Sequence, residues 1–122
     1  MEEQLQQRIY LLEECGFVDE SGKRDLCRIA DILEKQYGVH VSDDSTGVLI
    51  THVAAALKRS RNGEKVEKLE PDVLEQVREI DSYQTALAAR KAIVDAMENK
   101  LSADEQDFIL VHVGTILESA AE

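Results

Sequence analysis

Apolar residues recur along much of this chain at intervals of three or four positions, which is the spacing of one face of an α-helix. The first such stripe lies in residues 2–15, and Gly16 follows it where a left-handed glycine would end a helix. A second stripe begins at Leu26 and ends before Gly38. The polar turn at 19–22 separates these two predicted helices.

A third helix is predicted from about Ser45 to about Ser60. The polar cluster at 42–45 offers side chains for its N-cap. At its other end, Asn62 and Gly63 tolerate the left-handed conformation with which many helices finish. We therefore expect a helix of about four turns in this part of the chain.

The second half of the chain also has a helical period. Pro71 suits the first turn of a helix, because its missing N–H would be unpaired there in any case. Apolar positions then recur between 73 and 97, and residues 81–82 leave open whether this stretch is one helix or two. Ser102, with Glu105 three positions later, has the pattern of a capping box at the start of the last helix.

No stretch alternates with a period of two, and no internal repeat is apparent. Residues 1–122 have the length of a single domain, and aromatic residues are scarce, so the core must consist mainly of aliphatic side chains. These observations predict an all-α fold, an antiparallel bundle of about five helices.

Composition narrows the classes of function. The 25 acidic and 14 basic residues give a formal net charge of −11, which disfavours direct contact with nucleic acid or anionic lipid. We expect a cytoplasmic protein without a membrane span, since no leader-like segment or long apolar run occurs. Cys15 and Cys27 lack metal-binding spacing, and we expect both to be reduced and half-buried.

Histidines are the residues most capable of chemistry here. The sequence contains none of the common enzyme motifs, so we expect no enzyme and no cofactor. His52 falls on the shoulder of the third apolar stripe, and Arg59, seven residues later, returns to within ~20° of it on the helix. His112 has a similar position in the last helix, between Ile109 and Val113.

Two interpretations of these histidines remain open at this point. The pattern alone is more typical of histidines packed at the edge of a core. A neutral imidazole is also a good nucleophile for phosphoryl transfer, and a nearby arginine such as Arg59 would stabilise the phosphate it acquires. His40 is interpreted as a loop residue, and a zinc site formed by His40, His52, His112 and a cysteine is disfavoured because no ligand pair has short spacing.

Two segments resemble the motifs of the phosphotransferase-system regulation domain (PRD) family. Residues 49–59, followed by Asn62-Gly63-Glu64, resemble the first histidine motif, although family members often have Asp where Thr51 stands. Residues 102–113 resemble the second, in which an acidic pair and an aromatic residue precede the histidine. The similarity extends over nearly the whole chain.

The resemblance implies a helical bundle, commonly a homodimer, whose histidines His52 and His112 accept phosphate from the phosphocarrier protein HPr or a sugar-specific phosphotransferase component. It implies control of transcription or antitermination by sugar supply, with Arg59 as a phosphate-stabilising neighbour. Such domains usually occur in tandem with a nucleic-acid-binding module, so we expect this one to act through a partner. The alternative is a helical dimerisation or interaction protein that is never phosphorylated.

Overall fold

The computed structural model describes residues 1–120 and shows an all-α fold, with no β-strand in that range. The helices are α1 (Glu3–Glu14), α2 (Glu20–Tyr37), α3 (Asp43–Arg61), α4 (Pro71–Arg78), α5 (Tyr83–Ala96) and α6 (Ala103–Ala120). Within the described range, no helix is both long enough and apolar enough to cross a membrane. The predicted bundle is confirmed, with six helices where about five were expected.

The additional helix arises from a break between α4 and α5. The Ser82 N–H donates to the Glu118 carboxylate of α6 at 3.0 Å, so the turn is fixed by a contact distant in sequence. Ile80 in this turn packs against Gly114 of α6, where a Cβ atom would lie only 3.0 Å from the Ile80 Cδ1. The sequence left this division open because it depends on α6 rather than on local propensity.

Gly38 ends α2 with a φ of 66°, as predicted. The predicted turn at 19–22 lies mostly inside α2, because Asp19 caps this helix by accepting a hydrogen bond from the Gly22 N–H at 2.9 Å. The third helix begins at Asp43, two residues before the predicted start, because Ser42 is its N-cap. Ser42 and Ser45 form a reciprocal capping box.

The two central helices are α3 and α6. Helix α3 packs against α1, α2 and α6, and α6 also contacts α4 and α5. The most deeply buried aliphatic side chains are Leu5, Leu26, Ile29, Leu33, Leu49, Ile50, Val53, Ile93, Ile109 and Val113. Burying one side chain of this size stabilises a fold by about 1.5–3 kcal/mol, so these residues hold the helices of the bundle together.

The two cysteines have different environments. Cys27 is half-buried as predicted, and burial raises the pKa of its thiol. The same prediction was wrong for Cys15, which is exposed because it is the C-cap residue that follows the last turn of α1. Both are free thiols in the structure.

One buried carboxylate ties the connection between α5 and α6 to α2. Asp25 is 0% exposed and accepts hydrogen bonds from the backbone N–H groups of Glu98 at 2.7 Å and Asn99 at 3.1 Å. The Asn99 side-chain amide donates to it as well, at 2.8 Å. On the outer side, Arg24 and Arg28 bond to the Glu98 carboxylate and lower its pKa to about 2.

Replacing Asp25 with Ala is expected to lower the free energy of unfolding by about 3 kcal/mol, because it leaves buried backbone donors unpaired. Urea unfolding at neutral pH measures this loss. Glu98→Ala in the same network is the control, and a much smaller loss is expected because the carboxylate removed is exposed. Equal losses for the two variants would contradict the importance of the buried carboxylate.

Candidate functional site

The packing of α3 on α6 brings His52 and His112 together. Their ring centroids lie 5.0 Å apart, with the ring planes inclined at 47°. Each histidine lies beside buried residues of its own helix, among them Val53 in α3 and Val113 in α6, as the apolar stripes predicted. The sequence did not predict that two positions sixty residues apart would form one pair.

The Nε2 atom of His52 is enclosed by its neighbours. The imidazole stacks on Phe108 with ring centroids 5.2 Å apart, and its side chain is 21% exposed. The Nε2 atom is buried and has no hydrogen-bond partner. Glu105 Oε1 lies 3.6 Å from it, which is too long for a hydrogen bond, and the carboxylate would attract this imidazole only when the ring is protonated.

An ion pair between α3 and α6 lies beside this imidazole. The Arg59 Nε and Nη2 atoms donate to the two oxygens of Glu105 at 2.9 and 3.0 Å, which is a bidentate ion pair. The Glu105 side chain is only 7% exposed, and that of Arg59 is 26% exposed. Arg59 therefore reaches the neighbourhood of His52, as its spacing predicted, with Glu105 as its direct partner.

Glu105 has a role that the sequence interpretation missed. It was assigned to a capping box, and its backbone N–H does bond to the Ser102 hydroxyl at 3.3 Å. Its carboxylate does not return to cap the helix, because it bonds to Arg59 instead. A partly buried arginine needs an anionic partner. This requirement could have indicated from the sequence that an acidic residue such as Glu105 lies near Arg59.

Burial lowers the pKa of both imidazoles. For His52 the positive charge of Arg59 lowers the pKa further, whereas the Glu105 carboxylate opposes the shift. For His112 the nearby His52 adds to the lowering by burial. Both rings are consequently neutral near pH 7, and a neutral imidazole has an unprotonated nitrogen that can act as a nucleophile.

A groove of about 530 Å³ lies beside His112. It lies among the α2–α3 connection, the first turns of α3 and the end of α6. Val48, 66% exposed, forms part of its rim, and His40 lines it from the connection, where it is a loop residue as predicted. No group of three or more His, Cys, Asp or Glu side chains in the described residues is placed to hold a metal ion.

The residue before the first histidine is fixed by α1. Arg8 donates to the Thr51 hydroxyl at 2.9 Å and to both oxygens of Asp43, at 2.6 and 3.1 Å. The Thr51 hydroxyl and the Asp43 carboxylate are thus the two groups that accept hydrogen bonds from this guanidinium. The backbone of α3 next to His52 is therefore attached to α1.

Comparison with known proteins agrees with this geometry. The family model described as the PRD domain matches residues 28–116, which is most of the chain, and the chain belongs to this family. A relative from Escherichia coli (strain K12), the uncharacterized protein YhfY, is 23% identical over 109 residues, covering 89% of this chain and 91% of its own length. No solved structure matches the chain. Membership of the PRD family indicates a regulatory module of phosphotransferase-system type.

Replacing Arg59 with Met is expected to lower the free energy of unfolding by about 3 kcal/mol, because it leaves the Glu105 carboxylate buried without its cation. The double variant Arg59→Met/Glu105→Leu should recover most of this loss, since neither charge then remains. Urea unfolding measures both effects. Arg90→Met is the matched control, because the 3.7 Å pair of Arg90 with Asp107 is more exposed. A small loss is expected for this variant. A loss as large as that of Arg59→Met would contradict the prediction.

The two histidines are also expected to make stability depend on pH. Because the pKa of each is lowered below 6.5 in the folded protein, the unfolded chain binds more protons from about pH 6.5 down to the folded pKa values. The free energy of unfolding should therefore fall as the pH decreases through this range. Urea midpoints at about pH 7.5 and about pH 5.5 measure the decline. The variant His52→Gln/His112→Gln should lose most of it, and an unchanged decline would assign the effect to other groups.

Proposed function

We propose that this PRD domain is a phosphohistidine-regulated module of a sugar phosphotransferase system, with His52 and His112 as phosphate acceptors. HPr or a sugar-specific phosphotransferase component is the proposed donor. The observation that supports the proposal best is the pairing of two neutral imidazoles 5.0 Å apart, with an arginine–carboxylate pair beside one and an open groove beside the other. The Nε2 atom of His52 has no hydrogen-bond partner in the described structure, so that nitrogen is not committed to another group.

The transfer step needs no metal, cofactor or redox partner. The lone pair of an unprotonated imidazole nitrogen forms a bond to the phosphorus of the donor's phosphohistidine. The donor's N–P bond breaks, and its electron pair returns to the donor's ring nitrogen. The phosphoryl group moves as a unit between two imidazoles, so the donor's chemistry drives the reaction and the acceptor contributes position and a neutral ring.

Arg59 is proposed to stabilise the phosphate once it is attached. A phosphoryl group adds a charge of about −1.5 to −2 and three strong acceptor oxygens, which a guanidinium binds in the same geometry as a carboxylate. The Arg59 guanidinium is bonded to Glu105, and the pKa of Arg59 is raised by that hydrogen bond. A phosphate beside His52 would compete with Glu105 for the same donors, so phosphorylation would change the contact between α3 and α6.

The output is proposed to be control of transcription or antitermination through a partner. We place the module in the cytoplasm, as a homodimer without an enzymatic activity of its own and without direct contact to nucleic acid. The net charge of −11 supports a protein partner rather than nucleic acid as the receiver of the signal. Loss or rearrangement of the Arg59–Glu105 pair would supply the conformational change that such a partner detects.

A second candidate function is a helical interaction module that is never phosphorylated. The buried Nε2 atom of His52 favours it, because an imidazole sealed on one side is typical of a packed histidine. The exposed side chain of Val48 beside the groove would then belong to a protein contact. Phosphorylation experiments separate the two candidates directly.

Incubation with phosphoenolpyruvate, enzyme I and HPr is expected to label the protein with an acid-labile, base-stable phosphate. His52→Ala and His112→Ala should each lower the initial rate of labelling, and His52→Ala/His112→Ala should abolish it, because no acceptor remains. Lys91→Ala is the control and should be labelled like the parent protein, since Lys91 is exposed on α5 and pairs with Asp95 of the same helix. No labelling under conditions that phosphorylate a known acceptor would favour the second candidate, and full labelling of the double variant would place the acceptor elsewhere.

A further inference from the structure

The distance between the two acceptors limits what they can hold at once. The His52 and His112 ring centroids are 5.0 Å apart, and the His52 ring is also stacked on Phe108 at 5.2 Å. The two imidazoles belong to helices whose buried residues pack against one another, so they cannot move far apart without separating α3 from α6. Phosphoryl groups on both rings would therefore be close neighbours.

The charges near the pair are sufficient for one phosphate only. Arg59 supplies one positive charge, and Glu105 already neutralises it. On the other side, Asp44 lines the groove beside His112 and adds a negative charge there. Lys58 lies over the Phe17 ring and Arg90 is near Asp107, so both have other partners. A first phosphate can take Arg59 from Glu105, but a second would find no further cation of this kind.

Repulsion between charges increases with the product of the charges. The two imidazoles are close enough for their charges to interact, since a proton on His52 lowers the pKa of His112. Two phosphoryl groups of about −1.5 to −2 each would repel about two to four times as strongly at the same separation. Partial burial of both rings reduces the screening by water that would weaken this repulsion.

We propose that the His52–His112 pair accepts one phosphoryl group at a time, so that phosphorylation of either imidazole blocks the other. This inference rests on the proposed function and adds the regulation of its site. The second phosphorylation should be at least about a hundredfold less favourable than the first. The module would then be either unphosphorylated or singly phosphorylated, on one ring or the other, rather than responding in steps to one and then two phosphates.

Intact-protein mass spectrometry tests the stoichiometry. With excess phosphoenolpyruvate, enzyme I and HPr, the parent protein should gain the mass of one phosphoryl group and stop, and His52→Asn and His112→Asn should each also gain one. A doubly phosphorylated parent protein would overturn the inference while leaving the proposed function intact. Uptake by only one of the two variants would overturn it too, because a single acceptor would then explain the stoichiometry. No uptake by any of the three would overturn the proposed function and this inference with it.

A pair of isosteric substitutions tests whether charge causes the block. His112→Asp places a carboxylate where His112→Asn places a neutral amide of the same shape. Phosphorylation of His52 should be about tenfold slower in the Asp variant, because a negative charge near the acceptor opposes the incoming phosphate. Circular dichroism of both variants checks that the helices are retained. Equal rates in two folded variants would overturn the inference.

Discussion

The ion pair between Arg59 and Glu105 is the interaction on which the site depends. Glu105 is almost completely buried in α6, and a carboxylate in such a place needs a cation bonded to both oxygens. Arg59 supplies that cation from α3, across the same interface in which His52 packs. The contact thus fixes the relative position of two helices and the electrostatic surroundings of an imidazole at once.

This arrangement makes the site sensitive to added negative charge. Burial lowers the pKa of the neighbouring imidazole and keeps the ring neutral, while Glu105 raises that pKa and Arg59 lowers it. An anion attached to that imidazole competes for the guanidinium, and Glu105 would then be left buried without a partner. Since an unpaired buried carboxylate is costly, the proposed phosphate would change the side-chain contact between the two helices without separating their aliphatic cores. An exposed carboxylate would be solvated by water after losing its cation, so the proposed response to phosphate depends on the burial of Glu105.

Much of the fold was predictable because it depends on local patterns. The apolar stripes gave the helices, Gly38 marked the end of α2, and His52 and His112 were correctly placed beside the buried stripes of their helices. Features that depend on distant contacts were not predictable. Glu105 looked like a capping residue because the local pattern fits a capping box, and its inward turn is set by an arginine 46 residues away in sequence. The break before α5 is likewise set by contacts with α6.

The site also uses more of the chain than the family match covers. Helix α1 precedes residues 28–116, yet it packs against α3, and its Arg8 bonds to Thr51 and to Asp43 at the start of α3. Helix α3 is therefore held by a guanidinium contact on the α1 side and by Arg59 on the α6 side. Because the α1 contact does not involve the imidazoles, charge added to them acts first on the α6 contact. Under the proposed function, a phosphate on either imidazole would therefore disturb the α3–α6 contact and leave the α1–α3 contact in place.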